Sequence, residues 1–144
     1  MLPKRQSDKQ ISEEFAEKIC KTVENYSSYV QQLSWNVLAL TEDAVTQVVF
    51  KEGLEATMAQ VSPLFVEQTS NLSTYQLNFL RAMCRGYHND FGKKEVAATY
   101  NMGSRSNLPK IIKALEEREI IEKRDDGLYL SDPLFKIWFS RYMM

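Results

Sequence analysis

The sequence predicts a mainly α chain: a small helical bundle, then a winged helix-turn-helix with a two-stranded wing and a C-terminal helix that packs back. Three observations carry this reading. Apolar residues recur at helical spacing from Phe15 onward, with no strand pattern before residue 120. A short helical stretch, Lys93 to Tyr100, is separated from a longer one by Asn101-Met102-Gly103. Two short runs, Ile120 to Arg124 and Leu128 to Ser131, flank Asp125-Asp126-Gly127 as in a hairpin.

Residues 1–10 are polar and mixed in charge and are expected to be a loose, flexible end. A helical bundle is expected over 11–70 and the winged helix over 71–144. Ser12 is placed to cap a first helix whose first turn carries Glu13 and Glu14, with Phe15, Ile19 and Val23 as its apolar stripe. After a break at Asn25, Tyr29, Val30, Leu33, Val37 and Leu40 mark a second helix. Thr46 caps a third, carrying Val49, Phe50, Leu54, Met58 and Val61. Gly53 weakens that helix by about 1 kcal/mol relative to Ala unless it permits a close helix contact. Ser62-Pro63 reads as a cap followed by Pro at a first helical position, so a separate short helix is expected from there. The polar Gln68 to Asn71 form the expected boundary.

Ser73-Thr74-Tyr75-Gln76 matches a capping box ahead of Leu77, Leu80 and Cys84, and Gly86 ends that helix. Gly103 supplies positive φ in the helix-turn-helix turn. The following helix, about Ser106 to Glu117, has Leu108, Ile111, Ile112 and Leu115 inward. Pro109 demands that this helix begin close by: capping at Ser106 leaves its missing donor harmless, whereas a start at Ser104 requires a kink or a tight first turn. Asp132-Pro133 restarts the chain, and Leu134, Phe135, Ile137, Trp138 and Phe139 must be buried by packing across both halves.

The 144 residues are 44% hydrophobic and 26% charged, with only five Gly and four Pro, which excludes a disordered or fibrous chain. No apolar run approaches the roughly 18 residues of a membrane span, and no signal-peptide core follows the N-terminus, so a cytoplasmic protein is expected. Cys20 and Cys84 fall on apolar helix faces and are read as reduced core residues. The net charge of −1 conceals a polarity: residues 1–72 hold six Lys/Arg against ten Asp/Glu, and residues 81–124 hold ten against six. An anionic partner would meet the second half.

Catalytic chemistry finds no support. Gly86 to Lys94 is not a phosphate loop, because five residues separate its glycines and Lys94 stands where Ser or Thr must bind magnesium. His88, the single histidine, lies in that polar loop as a solvated residue without companions at metal-ligand spacing. Asp125 and Asp126 are turn formers first. The chain is therefore expected to be non-catalytic.

Nucleic-acid binding has a better case. The start of the second helix of a helix-turn-helix enters the major groove, which would present Ser104, Arg105, Ser106, Asn107 and Lys110, with Lys113 nearer a phosphate. Arg105 can pair with guanine and Asn107 with adenine. Lys93 and Lys94 suit backbone contacts, and Lys123 and Arg124 flank the wing. A solvated basic face on a protein-docking winged helix explains the same residues, so double-stranded DNA and a protein surface both stand as expected partners.

The segments Leu72 to Leu80 (Leu-Ser-Thr-Tyr-Gln-Leu-Asn-Phe-Leu), Tyr100 to Asn107 and Asp132 to Phe139 (Asp-Pro-Leu-Phe-Lys-Ile-Trp-Phe) resemble the C-terminal region of prokaryotic P-loop ATPases of the AAA+/STAND type. Tyr29-Val30-Gln31-Gln32-Leu33 is similar to that family's lid helix, so the resemblance runs from about residue 11 to the end. It implies a lid-like bundle and a regulatory winged helix belonging to an ATP-binding protein, with an ATPase domain as a further expected partner. The nucleotide-binding domain itself is missing, and Asn25-Tyr26-Ser27 stands where the family often has Gly-x-Pro. ATP and magnesium are thus expected only in a domain outside this chain, which is either part of a larger ATPase or a stand-alone remnant; no cofactor and no metal are expected within it.

Overall fold

The computed structural model describes residues 9–144; most of the loose end expected at 1–10 lies outside the described residues. Among these are seven α-helices, the last of which follows a two-stranded antiparallel hairpin. The order is α1 (Glu13–Thr22), α2 (Ser27–Leu40), α3 (Gln47–Ser70), α4 (Thr74–Cys84), α5 (Lys94–Thr99), α6 (Leu108–Glu117), β1 (Ile121–Arg124), β2 (Gly127–Leu130) and α7 (Pro133–Tyr142). The chain forms two compact units that divide between Pro63 and Leu64. No helix among the described residues is long and apolar enough to cross a membrane.

In the first unit, Lys9 and Gln10 are already tied down. Lys9 Nζ donates to Leu38 O at 2.8 Å, Gln10 N donates to Asp43 O at 2.9 Å, and Gln10 O accepts from Val45 N at 3.1 Å. Ser12 caps α1 by accepting from Phe15 N, and Glu24 and Asn25 take positive φ to turn the chain into α2. Ile19, Val23, Leu33, Val37, Phe50, Leu54 and Met58 are buried; Leu40 is exposed and Cys20 only half-buried, because the stripe of each helix is narrower than its apolar content.

The helices α2 and α3 meet at Gly53, where a Cβ would stand 2.5 Å from Val37 Cγ2 and 2.9 Å from Val37 Cα. Beside that contact, Asn36 Nδ2 donates to Thr57 Oγ1 at 2.8 Å, and Thr57 Oγ1 donates to Gly53 O at 2.9 Å. Both side chains are buried, so satisfaction within the pair spares a desolvation cost of roughly 1–3 kcal/mol per group.

No separate helix begins at Ser62-Pro63: Pro63 lies inside α3. Pro in a helix interior costs about 3 kcal/mol relative to Ala. Phe65 and Thr69 beyond it are buried, and that burial holds the second half of α3 in register.

In the second unit α4 opens with the complete capping box: Gln76 N donates to Ser73 Oγ at 3.2 Å and Ser73 N donates to Gln76 Oε1 at 2.9 Å. Its centre buries Phe79, Leu80, Ala82 and Met83. Cys84 at its end is half-buried, and burial pushes its thiol pKa up, away from the reactive thiolate. Asp132 caps α7 by accepting from Leu134 N and Phe135 N, and α7 packs against α4 and β2. Phe65 meets Phe135 edge-on at 5.3 Å and Trp138 at 5.7 Å.

A Gly53→Ala variant is expected to lose about 1–3 kcal/mol of unfolding free energy to the clash with Val37, more than the roughly 1 kcal/mol gained in helix propensity. A lower urea midpoint, followed by circular dichroism, is the measurement; an unchanged or raised midpoint contradicts the close packing.

Candidate nucleic-acid interface

The helix-turn-helix is built on Gly103. Its φ of +76° lets the chain reverse between α5 and α6, and it brings the turn so close to α4 that a Cβ would stand 2.8 Å from Tyr75 Cε2. Asn78 Nδ2, one turn along α4 from Tyr75, donates to Asn101 O at 2.6 Å and pins the same turn. Asn101 Oδ1 accepts from Gly103 N at 3.2 Å.

Ser106 is not the cap of the following helix. The extended residue is Ser104, and Arg105–Asn107 form a tight 3-10 turn, with Asn107 N donating to Ser104 O at 2.9 Å. That turn merges into α6, where Pro109 sits within the first residues and needs no donor. Ser104 and Ser106 share a hydroxyl hydrogen bond of 2.8 Å.

Arg105 lies back over the polypeptide at Gly92, where a Cβ would come 3.0 Å from its Nε. Gly92 immediately precedes Lys93 and Lys94, so the Arg105 guanidinium lies beside the start of α5. Lys93 is 3.5 Å from Asp90, and both are well exposed. Asn107 is half-buried beside Gly103, while Lys110 and Lys113 lie one turn apart on the exposed side of α6, opposite the buried Ile111 and Leu115. Lys113 is 4.0 Å from Glu117, but exposures of 79% and 66% make that pair worth little. Lys94, Arg105 and Lys110 have no ion pair among the described residues.

The wing is separate in character. Register pairs Ile121 with Leu130 and Arg124 with Gly127, so Asp125 and Asp126 are the two loop residues and Gly127, at φ +146°, opens β2. An Asp-Gly turn centred one residue later is replaced by this arrangement because neither aspartate adopts positive φ. Ser131 N donates to Ile120 O at 3.0 Å, extending the ladder by one pair. By strand alternation Glu122, Arg124 and Tyr129 share one face and Lys123 lies on the other. Arg124 is 2.9 Å from Glu122 and its guanidinium sits 4.4 Å over the Tyr129 ring, so this cation is already engaged.

His88 is not a solvated loop residue. Leu128 N donates to His88 O at 2.8 Å, His88 Nδ1 lies 3.0 Å from Leu128 O, and its ring stacks on Tyr129 at 4.0 Å. The loop thus lies along β2 in the place of a third strand, and Gly127 is needed because a Cβ there would collide with His88 O. Only the Asp-Asp-Gly punctuation hinted at a close approach; the aromatic partner of His88 carried no local signal.

Tyr129 Oη donates to Asp126 Oδ2 at 2.6 Å, and that bond holds the Asp126 carboxyl below the usual carboxylate range and the Tyr129 phenol above its own. The wing tip is therefore anionic at neutral pH. Among the described residues no three His, Cys, Asp or Glu side chains gather as metal ligands.

Residues 63–141 match the family model described as "Probable winged helix domain", a span that begins where the two units divide. No curated protein and no solved structure matches the chain.

Because the folded Asp126 pKa is lowered, its bond to Tyr129 is complete above the unfolded Asp value of about 3.9 and is lost as pH falls through the folded value. Tyr129→Phe removes the donor and should raise the Asp126 midpoint in a carboxyl NMR titration; an unmoved midpoint assigns the depression to another cause.

Proposed function

Because this chain belongs to the probable winged helix domain family, we propose that its second unit is a non-catalytic module that binds double-stranded DNA through the start of α6. The observation that carries the reading is the contrast between two sets of cations. Arg124 and Lys93 face acidic partners, whereas Lys94, Arg105 and Lys110 surround the 3-10 turn with no acidic neighbour at ion-pair distance among the described residues. Lys110 and Lys113 suit phosphates, and Asn107 carries the amide suited to an adenine edge. The wing contributes Lys123 at most, since Asp125 and Asp126 repel a phosphate backbone.

The resemblance of Leu72–Leu80 and Asp132–Phe139 to the C-terminal region of AAA+/STAND-type ATPases supports a regulatory role beside an ATP-binding domain. In that role DNA contact would report to, or be gated by, a nucleotide-binding partner. Detection of a Walker loop in the same reading frame or a neighbouring one is the test of this part of the reading.

A protein-docking module is the second reading, and one observation favours it. At the end of the second unit Tyr142 is 61% exposed and Met144 is exposed two residues on. Large apolar side chains left open in this way mark protein contact sites when they cluster.

The test is fluorescence anisotropy of a labelled duplex with the full chain at 50 and 200 mM salt. Four phosphate contacts give a slope near −3.6 in log affinity against log salt, hence a loss of about 150-fold between the two conditions. Combined Arg105→Glu and Lys110→Glu substitution should weaken binding at least ~10-fold with the thermal midpoint retained. Absence of binding at 50 mM salt rejects the DNA reading and leaves protein docking.

A further inference from the structure

We infer that Tyr75 belongs to this DNA-binding surface, as a neutral hydrogen-bond donor to a backbone phosphate beside the base that Asn107 reads; this rests on the DNA reading above. Tyr75 stands in the first turn of α4, inside the Ser73–Gln76 capping box and outside the helix-turn-helix itself. Its ring is fixed from below. Two of its edge carbons come within 2.8 and 3.2 Å of where a Gly103 Cβ would be, and Asn107 Nδ2 crowds the same point. The ring of Tyr75 and the amide of Asn107 are therefore neighbours, both close to the one point a Gly103 Cβ would occupy.

Two further features keep them there. Asn78, on the same side of α4, holds the turn through Asn101 O at 2.6 Å, so the turn cannot drift from the ring. Replacing Gly103 with any other residue would force the ring and the amide apart.

The polar end of Tyr75 is left with nothing to do inside the protein. The residue is 41% exposed, and its hydroxyl has no hydrogen-bond partner among the described residues. The Asn107 amide likewise has none. A rigid phenol and an unsatisfied amide, side by side next to Ser104 and Ser106, suit one ligand: a phosphate for the phenol and a base edge for the amide. Tyr side chains are regular donors to phosphate oxygens, and a hydrogen bond to an ionised acceptor is about twice as strong as a neutral one.

The proposal separates from a simple charge effect because the phenol is neutral. Losing it removes affinity without changing how many counterions are released. Tyr75→Phe in the full chain, titrated against a random-sequence 24-base-pair duplex at several salt concentrations, should weaken binding about 5- to 10-fold at every salt. The salt slope and the thermal midpoint should stay at their wild-type values. Lys110→Gln, run in parallel, should instead lower the slope by about 1. Equal affinity of Tyr75→Phe and wild type overturns the inference while leaving DNA binding in place, and so does a reduced slope in Tyr75→Phe. Failure of the wild-type chain to bind at low salt overturns the DNA reading itself, and this inference with it.

Discussion

Everything that positions the cationic turn passes through α4. Phe79 and Leu80 are wholly buried at its centre, with Phe79 packed on Phe91 at 4.3 Å, and α4 touches both α6 and α7. Its Ser73 capping box holds the end from which Tyr75 and Asn78 reach the turn. The cap is worth about 1 kcal/mol to the helix. Its larger consequence is geometric, since fraying of that first turn would release the clasp on Asn101 and Gly103 together. Core packing and surface chemistry are thus joined in one helix: one side is buried, and the other sets where α6 begins.

Electrostatics then divides the second unit into two regions of opposite sign. Around the 3-10 turn Lys94, Arg105 and Lys110 are exposed and have no acidic partner at ion-pair distance among the described residues, so solvent and salt are what chiefly screen their field. At the wing tip Arg124 is shared between Glu122 and the Tyr129 ring, while Asp126 is held ionised by the Tyr129 hydroxyl. Folding there neutralises the positive charge and protects the negative one. A polyanion approaching this unit is attracted at one place and repelled at another, which orients it before any specific contact forms.

Much of the architecture was legible in the residues, and the part that was not has a common cause. Ser73 with Gln76, Gly103, Asp132-Pro133 and the 3.6-residue stripe of α6 are local signals, and each produced the expected element. Pro109 narrowed the start of α6 to two choices, and the tight turn from Ser104 was the one realised. The misread positions depend on partners distant in the chain. Pro63 reads as a helix start until Phe65 is seen to be buried against Phe135 and Trp138, which makes continuation worth its local penalty. His88 reads as solvated because Tyr129 and Leu128 lie some forty positions away. The approach of Arg105 to Gly92 likewise has no local signal, since Gly92 belongs to another loop.

That distance between His88 and the wing has a kinetic meaning. The hairpin itself is local and can close on the microsecond scale, but docking it on His88 joins residues 40 positions apart. The entropy of closing such a loop must be met before the Leu128–His88 bonds and the Tyr129 stack return anything, whereas α4, α5 and α6 gain from short-range contacts at once. Docking of the wing tip on His88 is therefore expected late in folding and its release early in unfolding. The wing amides would exchange with solvent through openings that leave the helical core intact.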